Sequence, residues 1–372
     1  MRDHEPKVIE YSAVPTIEAL LETEHPAIVH LVPPVMPLPN TPLLIPENAT
    51  SDIITQHFAA PSMTPLGIVA LANVVVSGKS YVGTDRSTYL LAPAVPRWVD
   101  KFIKTRRLYL DVSLIDKIER TTNIALLLTH WNSHQYGHWI LEGLLQMLLV
   151  RRLREQLPSL SIITPRWSAH EVIRWGNILL PSTPIVVYDE DTEYIRCERL
   201  LMPTILCSGP FFHPLVNSLI DELRRLVDAE RGGDDRIYIT RPNPGTVRLL
   251  SNREEIENIA IANGLRIIAP ETLPIRDQVR LFSGSRLIVG EYGSGMHNTL
   301  FSTDRALVLC LNYMDVCQSR LSQLRRYRVG YVLPSNGQPV IWQEGVGLRE
   351  FHIDPTQFAR ALMVMDKIAQ CR

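Results

Sequence analysis

The chain has 372 residues, 45% of them hydrophobic and 21% charged, with 38 basic against 39 acidic side chains. That length suits about two domains of ordinary size, each with an ample apolar core. Low, balanced charge excludes a generally disordered chain, and a net charge of −1 excludes a nucleic-acid partner held by bulk charge. Between Lys117 and Lys367 every strong cation is an arginine, so an anion site in that stretch must use guanidinium forks, which suit bidentate phosphate contacts. Five cysteines (Cys197, Cys207, Cys310, Cys317 and Cys371) make an odd count with no CxxC pair. They read as buried small hydrophobes in a reducing compartment, not as a disulfide framework or zinc site. The first residues lack the layout of a signal peptide, and no run of about 18 apolar residues occurs. The expectation is a soluble, cytoplasmic protein, for which peripheral membrane association stays open.

Residues 1–65 are punctuated by prolines, among them Pro33, Pro34, Pro37, Pro39, Pro42 and Pro46. They read as irregular, extended structure laid over a core. Short apolar runs at Ile68–Val76, Tyr81–Gly83 and Tyr89–Leu91 predict a small β meander, so 1–95 is taken as an N-terminal segment packing on the first lobe. Over 96–215 the pattern is strand Asn123–Thr129, helix His138–Gln156, strand Ser161–Thr164, helix Ala169–Leu180 and strand Pro184–Tyr188. Over 216–350 strands are predicted at Arg236–Thr240, Leu265–Ala269, Arg286–Gly290, Ala306–Leu311 and Gly330–Leu333. Helices fall between them at Arg253–Ala262, Ile275–Ser283, after the glycine turn to Phe301, and at Cys317–Tyr327. A last helix through Gln370 fills 351–372. Such alternation predicts α/β lobes with parallel sheets, the second doubly wound.

Three segments carry candidate chemistry. Strand Arg286–Gly290 runs into Glu291-Tyr292-Gly293-Ser294-Gly295-Met296-His297-Asn298. Glycines at 290, 293 and 295 permit positive φ and let a ligand come close, and the N-terminus of the following helix favours anions. The spacing G-x-x-G-x-G departs from the G-x-G-x-x-G dinucleotide fingerprint. A tight turn with no ligand is the bland alternative. Arg241, Arg248 and Asn252 follow strand Arg236–Thr240 at the same sheet edge, where paired guanidinium groups would hold a diphosphate without a metal. Ser251-Asn252-Arg253-Glu254 also reads as a capping box.

The third segment is His134-Gln135-Tyr136-Gly137-His138-Trp139-Ile140-Leu141-Glu142. His138 and Glu142 lie one turn apart on one helical face. A carboxylate among Leu, Ile and Met needs a partner, and a His oriented by a carboxylate is the usual form of a general base. A structural His–Glu bond, or a metal on His134, His138 and Glu142, are the alternatives. Asp189-Glu190-Asp191 has the Asp-x-Asp form of a metal motif, but its polar context favours a solvated loop.

Together these segments resemble glycosyltransferase family 61, which includes bacterial capsular-polysaccharide, plant xylan-decorating and animal O-linked GlcNAc transferases. The resemblance rests on His138…Glu142 in HWILEGL, on Arg241 with Arg248-Leu-Leu-Ser-Asn252, on Gln278 and Leu281-Phe282 in GLRIIAPETLPIRDQVRLFSGSRLIVG, and on the loop Tyr292–Asn298. It covers roughly residues 120–335. Departures are Tyr292 where the family usually has His, Ser294 for Ala, Met296 for Leu, Gln135 for Asn and Arg253 for Glu.

The resemblance implies a GT-B-like fold of two Rossmann-like lobes, and inverting, metal-independent sugar transfer from a nucleotide sugar to a glycan or glycoconjugate hydroxyl in polysaccharide biosynthesis. The nucleotide sugar is then a co-substrate, with no cofactor and no metal. His138 would be the base and Glu142 its orienting carboxylate. Arg241, Arg248, Asn252, Gly293, Ser294, Gly295 and Asn298 would hold the donor. Two rivals remain: a catalytically silent binding or assembly relative, and a Rossmann oxidoreductase. The latter needs an acidic ribose-binding residue after the next strand, where Leu311-Asn312 stands. Donor, acceptor and oligomeric state are not legible.

Overall fold

A computed structural model describes residues 8–10, 28–32, 66–77, 81–83, 88–89, 109–111, 118, 120–127, 135–153, 159–203, 206–208, 211–229, 235–241, 249–312, 314, 316–335 and 350–370. The described elements through Ser208 belong to one compact unit and those from Phe211 onward to a second.

The first unit is built on β1 (Leu66–Ser77), β2 (Arg120–Leu127), β3 (Leu160–Pro165), β4 (Ile185–Tyr188) and β5 (Tyr194–Pro203). Its sheet runs Thr88–Tyr89, Tyr81–Gly83, β1, β5, β2, β3, β4, with Ile28–Val32 also paired to β1. Strands β5, β2, β3 and β4 are mutually parallel, whereas β1 joins β5 antiparallel over Tyr194↔Ser77 to Pro203↔Ile68. The expected meander is therefore the antiparallel edge of the lobe's own sheet. Strand β5 lies outside the predicted elements. Between β2 and β3 runs helix α1, assembled from Tyr136–His138, a π turn over Trp139–Gly143 and Leu144–Leu153. Helix α2 (Arg166–Leu179) links β3 to β4. Trp139, Leu144, Leu145, Met147 and Val150 of α1 are fully buried, which makes this helix a core element.

The second unit contains α3 (Leu215–Leu226), β6 (Asp235–Ile239), α4 (Arg253–Ala262), β7 (Arg266–Ile268), α5 (Ile275–Gly284), β8 (Ser285–Glu291), β9 (Leu307–Leu311), α6 (Val316–Arg325), β10 (Arg328–Val332) and α7 (Pro355–Gln370). The five strands form one parallel, Rossmann-like sheet in the order β7-β6-β8-β9-β10. In chain order this is 2-1-3-4-5, so the winding reverses between β6 and β8, and the carboxyl ends of those two strands form the switch point at which open α/β sheets bind ligands. Strand β9 is buried along its whole length, as a parallel strand covered on both faces must be. Tyr238, Leu287, Val289, Leu307, Leu309 and Leu311 pack against Phe358, Leu362 and Met365 of α7, so the C-terminal helix is part of this core.

Two local expectations are corrected. The stretch after the glycine turn is a 3-10 helix, Ser294–Phe301, not an α-helix. Glycines 290, 293 and 295 do not take the left-handed φ either: Gly264 is the described glycine that does, and Gly293 is extended at φ 168°. They are small because the chain passes close. A β-carbon on Gly290 would stand 2.6 Å from Met296 Sδ and 2.9 Å from Ile239 Cβ.

Candidate active site

In the first unit the candidate chemistry sits where α1 begins. Trp139 is completely buried, and a β-carbon on Gly143 would lie 2.5 Å from Cε3 and Cζ3 of its indole. The ring thus occupies the space over Gly143, and the backbone between them takes the wider π turn. Such turns inside α-helices are frequent at functional positions. His138 Nδ1 lies 3.3 Å from Glu142 Oε1, with 40% of the imidazole and 12% of the carboxylate side chain exposed. An ionised carboxylate only accepts, so Nδ1–H donates and the basic lone pair of the neutral ring resides on Nε2. One turn later, Gln146 Nε2 donates to the carbonyl of Pro203 at 2.9 Å, tying α1 to the end of β5. Burial, aided by the charge of Glu142, pushes the Cys207 thiol well above its ordinary pKa, so this cysteine is an inert neighbour and not a nucleophile.

His134 falls outside the described residues. Among the described residues no group of three or more His, Cys, Asp or Glu is placed to hold a metal ion. The acidic stretch at 189–191 is committed to its own turn. Asp189 Oδ1 accepts the Asp191 amide at 3.0 Å, Oδ2 pairs with Arg166 at 2.9 Å, and the Asp189 amide donates to Glu193 Oε2 at 2.6 Å. The Asp191 amide and the Arg166 charge hold the Asp189 carboxyl below its usual range.

In the second unit the switch point of the sheet carries Arg241, just beyond β6, and Tyr292-Gly293, just beyond β8. Arg241 Nη1 approaches the Tyr292 carbonyl at 3.5 Å. Its side chain lies so closely over Gly293 that a β-carbon there would be 3.1 Å from Nε. These two predicted site elements are therefore brought together. Ser294 is exposed, Gly295 half-buried, and Asn298 is buried with Nδ2 donating to the Gly295 carbonyl at 3.0 Å, closing the turn on itself. Arg248 lies outside the described residues. Asn252 is engaged elsewhere: Nδ2 donates to the carbonyl of Ile353 at 2.8 Å and Oδ1 accepts the Ile353 amide at 3.3 Å. Its amide fastens the segment leading into α7. The capping box does not form, because the parallel pair Leu249–Leu250 with Glu350–Phe351 draws Ser251 Oγ onto the Phe351 carbonyl at 3.1 Å. Asn252 occupies the N-cap without a side-chain cap bond.

Beneath the loop lies a residue that the sequence did not single out. Glu291, the last residue of β8, is 1% exposed and forms a two-point bridge to Arg253, Nε to Oε1 at 2.9 Å and Nη2 to Oε2 at 3.1 Å. Burial raises the pKa of its carboxyl, opposed by the Arg253 bonds and by the charges of Arg253 and Arg241. Arg253 opens α4, where the helix dipole disfavours a cation, and Glu291 offsets that disadvantage. Beside it Thr240 Oγ1 donates to Glu257 Oε1 at 2.5 Å. Arg253 is tied to Glu291, and Arg241 adds a second guanidinium at the switch point, whose charge also acts on Glu291. A charged residue buried at the end of an otherwise apolar strand was the available signal for Glu291.

A protein-family model described as "Glycosyltransferase 61" matches residues 136–309, a span that includes His138, Glu142, Arg241 and the glycine loop. No curated protein matches. Among solved structures, the flavodiiron core of Flv1 from Synechocystis sp. PCC6803, soaked with metal, is similar at 9% identity. The match covers 82% of this chain and 90% of that one with a TM-score of 0.22, which is too low to bear on fold or chemistry.

Proposed function

We propose, on the premise that residues 136–309 belong to glycosyltransferase family 61, that the protein transfers a sugar from a nucleotide-sugar donor to a hydroxyl of a glycan or glycoconjugate, with inversion and without a metal. The proposal includes a GT-B architecture in which the first lobe supplies the base and the second the donor clamp. His138 Nε2 takes the proton of the acceptor hydroxyl as that oxygen attacks the anomeric carbon. Glu142, accepting from Nδ1–H, stabilises the imidazolium that results. The bond from the anomeric carbon to the diphosphate oxygen breaks, and its electron pair leaves with the nucleoside diphosphate. Arg241 and the backbone of Gly293–Gly295 neutralise the growing charge, which is how a metal-free site stabilises such a leaving group. Ser294 and Asn298 belong to that wall, Arg248 is its second proposed guanidinium, and Asn252 acts by holding the chain around it.

The observation that carries this account is Arg241 lying over Tyr292-Gly293 at the switch point of a 2-1-3-4-5 sheet. Tyr292 and Arg253 depart from the family pattern and favour a catalytically silent binding protein as the second reading. The bridge to Glu291, however, gives the substituted arginine a buried partner. A panel of UDP- and GDP-sugars, assayed for hydrolysis or transfer with and without EDTA, tests the proposal. Activity that survives the chelator is expected. Loss of activity on chelation defeats the metal-free mechanism, and nucleotide-sugar binding without turnover favours the silent protein.

A further inference from the structure

Asn312 follows β9, the strand beside β8. Two anomalies meet at this residue. Its backbone has φ 108°, a left-handed value that side chains other than glycine seldom adopt. Its side chain is fully buried, yet neither Oδ1 nor Nδ2 has a hydrogen-bond partner. A buried carboxamide with donor and acceptor both unspent is expensive, and such groups in native proteins call for an explanation. Backbone strain likewise persists where function needs it.

Its position supplies the explanation. The Tyr292 amide donates to the Leu311 carbonyl at 3.1 Å, and the Asn312 amide donates to the Val332 carbonyl at 3.1 Å. Asn312 therefore stands among the carboxyl ends of β8, β9 and β10, next to the loop over which Arg241 lies. Two strand spacings, about 9–10 Å, separate the ends of β6 and β9, so a ligand whose diphosphate meets Arg241 brings a flanking group towards Asn312.

We propose that Asn312 is a specificity residue of this site, hydrogen-bonding the neutral part of the donor that flanks the diphosphate; this rests on the glycosyltransferase reading above. At neutral pH a diphosphate presents acceptors alone and would leave Oδ1 unmatched. A nucleoside or a sugar presents donors and acceptors side by side and satisfies the whole amide. The side chain is fully buried, so the proposal requires the donor to open the turn after β9, and the ligand then relieves a cost carried by the free protein.

Asn312→Gly is the test, because glycine adopts the φ without strain and lacks the amide. Its melting temperature should match or exceed that of the unchanged protein, whereas a purely structural asparagine would lower it. By calorimetry, UDP or GDP should bind about tenfold more weakly to the variant, the effect of about 1.4 kcal/mol, while inorganic pyrophosphate binds both proteins equally. That result assigns the nucleoside as the group recognised. A loss confined to nucleotide sugars, with the free diphosphates unaffected, assigns the transferred sugar and also supports the proposal. Equal weakening of pyrophosphate, unchanged affinities throughout, or a lowered melting temperature overturns it. If the unchanged protein binds no nucleotide at all, the glycosyltransferase reading falls and this proposal with it. If it binds and Asn312→Gly binds alike, this proposal alone fails.

Discussion

Arg253 and Glu291 make a charge pair in which one partner has left water entirely. The carboxylate side chain of Glu291 has no exposed surface and that of Arg253 retains 20%, so the pair is held by its two-point geometry and by the loss of any alternative. Breaking such a pair from one side costs about 3–5 kcal/mol, because a buried charge is left uncompensated. Arg253→Ala should therefore lower the denaturant midpoint strongly, and Arg253→Lys, which keeps the charge but loses the fork, should fall between. Arg253→Ala combined with Glu291→Ala should recover much of the loss. A double variant no more stable than Arg253→Ala would mean that the bridge is not what Arg253 contributes. The sequence led to Arg241 through the position of an arginine after a strand. For Glu291 it offered only a charge at the end of an apolar strand, and for Asn312 no signal, because a single residue at a strand end carries no period and its burial depends on elements far away in the chain.

At the scale of the element, helix α1 holds the candidate base through a π turn that Trp139 and Gly143 impose between them. A methyl group at 143 meets a rigid, fully buried ring, with no flexible side-chain end to give way. Gly143→Ala should cost about 1–3 kcal/mol by overpacking. It should also lower turnover beyond what the lost folded fraction explains, since the π turn carries Glu142 and sets its distance from His138. Thermal melts and turnover measured at a temperature where the variant is fully folded decide it. Unchanged turnover there would show that the turn is only packing. The helix itself was legible from its apolar run, but a pattern read at 3.6 residues per turn cannot announce a π insertion. Strand β5 was missed for another reason. Arg196, Glu198 and Arg199 interrupt its apolar residues, although the burial of Ile195 and Cys197 between partly exposed neighbours follows the two-residue period of a strand. The five strands of the second unit and the helices α4, α5 and α6 were legible to within about two residues, whereas α3 (Leu215–Leu226) lay outside the predicted elements.

For the molecule as a whole, the sequence supplies strands in chain order, while the site depends on their order in space. The 2-1-3-4-5 arrangement puts the switch point between β6 and β8, and the pairing of those two strands makes Arg241 and Tyr292-Gly293 neighbours. The motifs marked segments far apart in sequence, and the pairing of strands decided that two of them, at Arg241 and at Tyr292-Gly293, meet. The proposed mechanism assigns proton removal to His138 and stabilisation of the leaving diphosphate to Arg241. The most direct test compares His138→Ala and Arg241→Ala, with turnover and nucleoside-diphosphate affinity measured on each. The proposed mechanism predicts that His138→Ala loses turnover by about 10²–10⁴-fold and keeps its affinity, while Arg241→Ala loses both. Near-normal turnover by purified His138→Ala would contradict it.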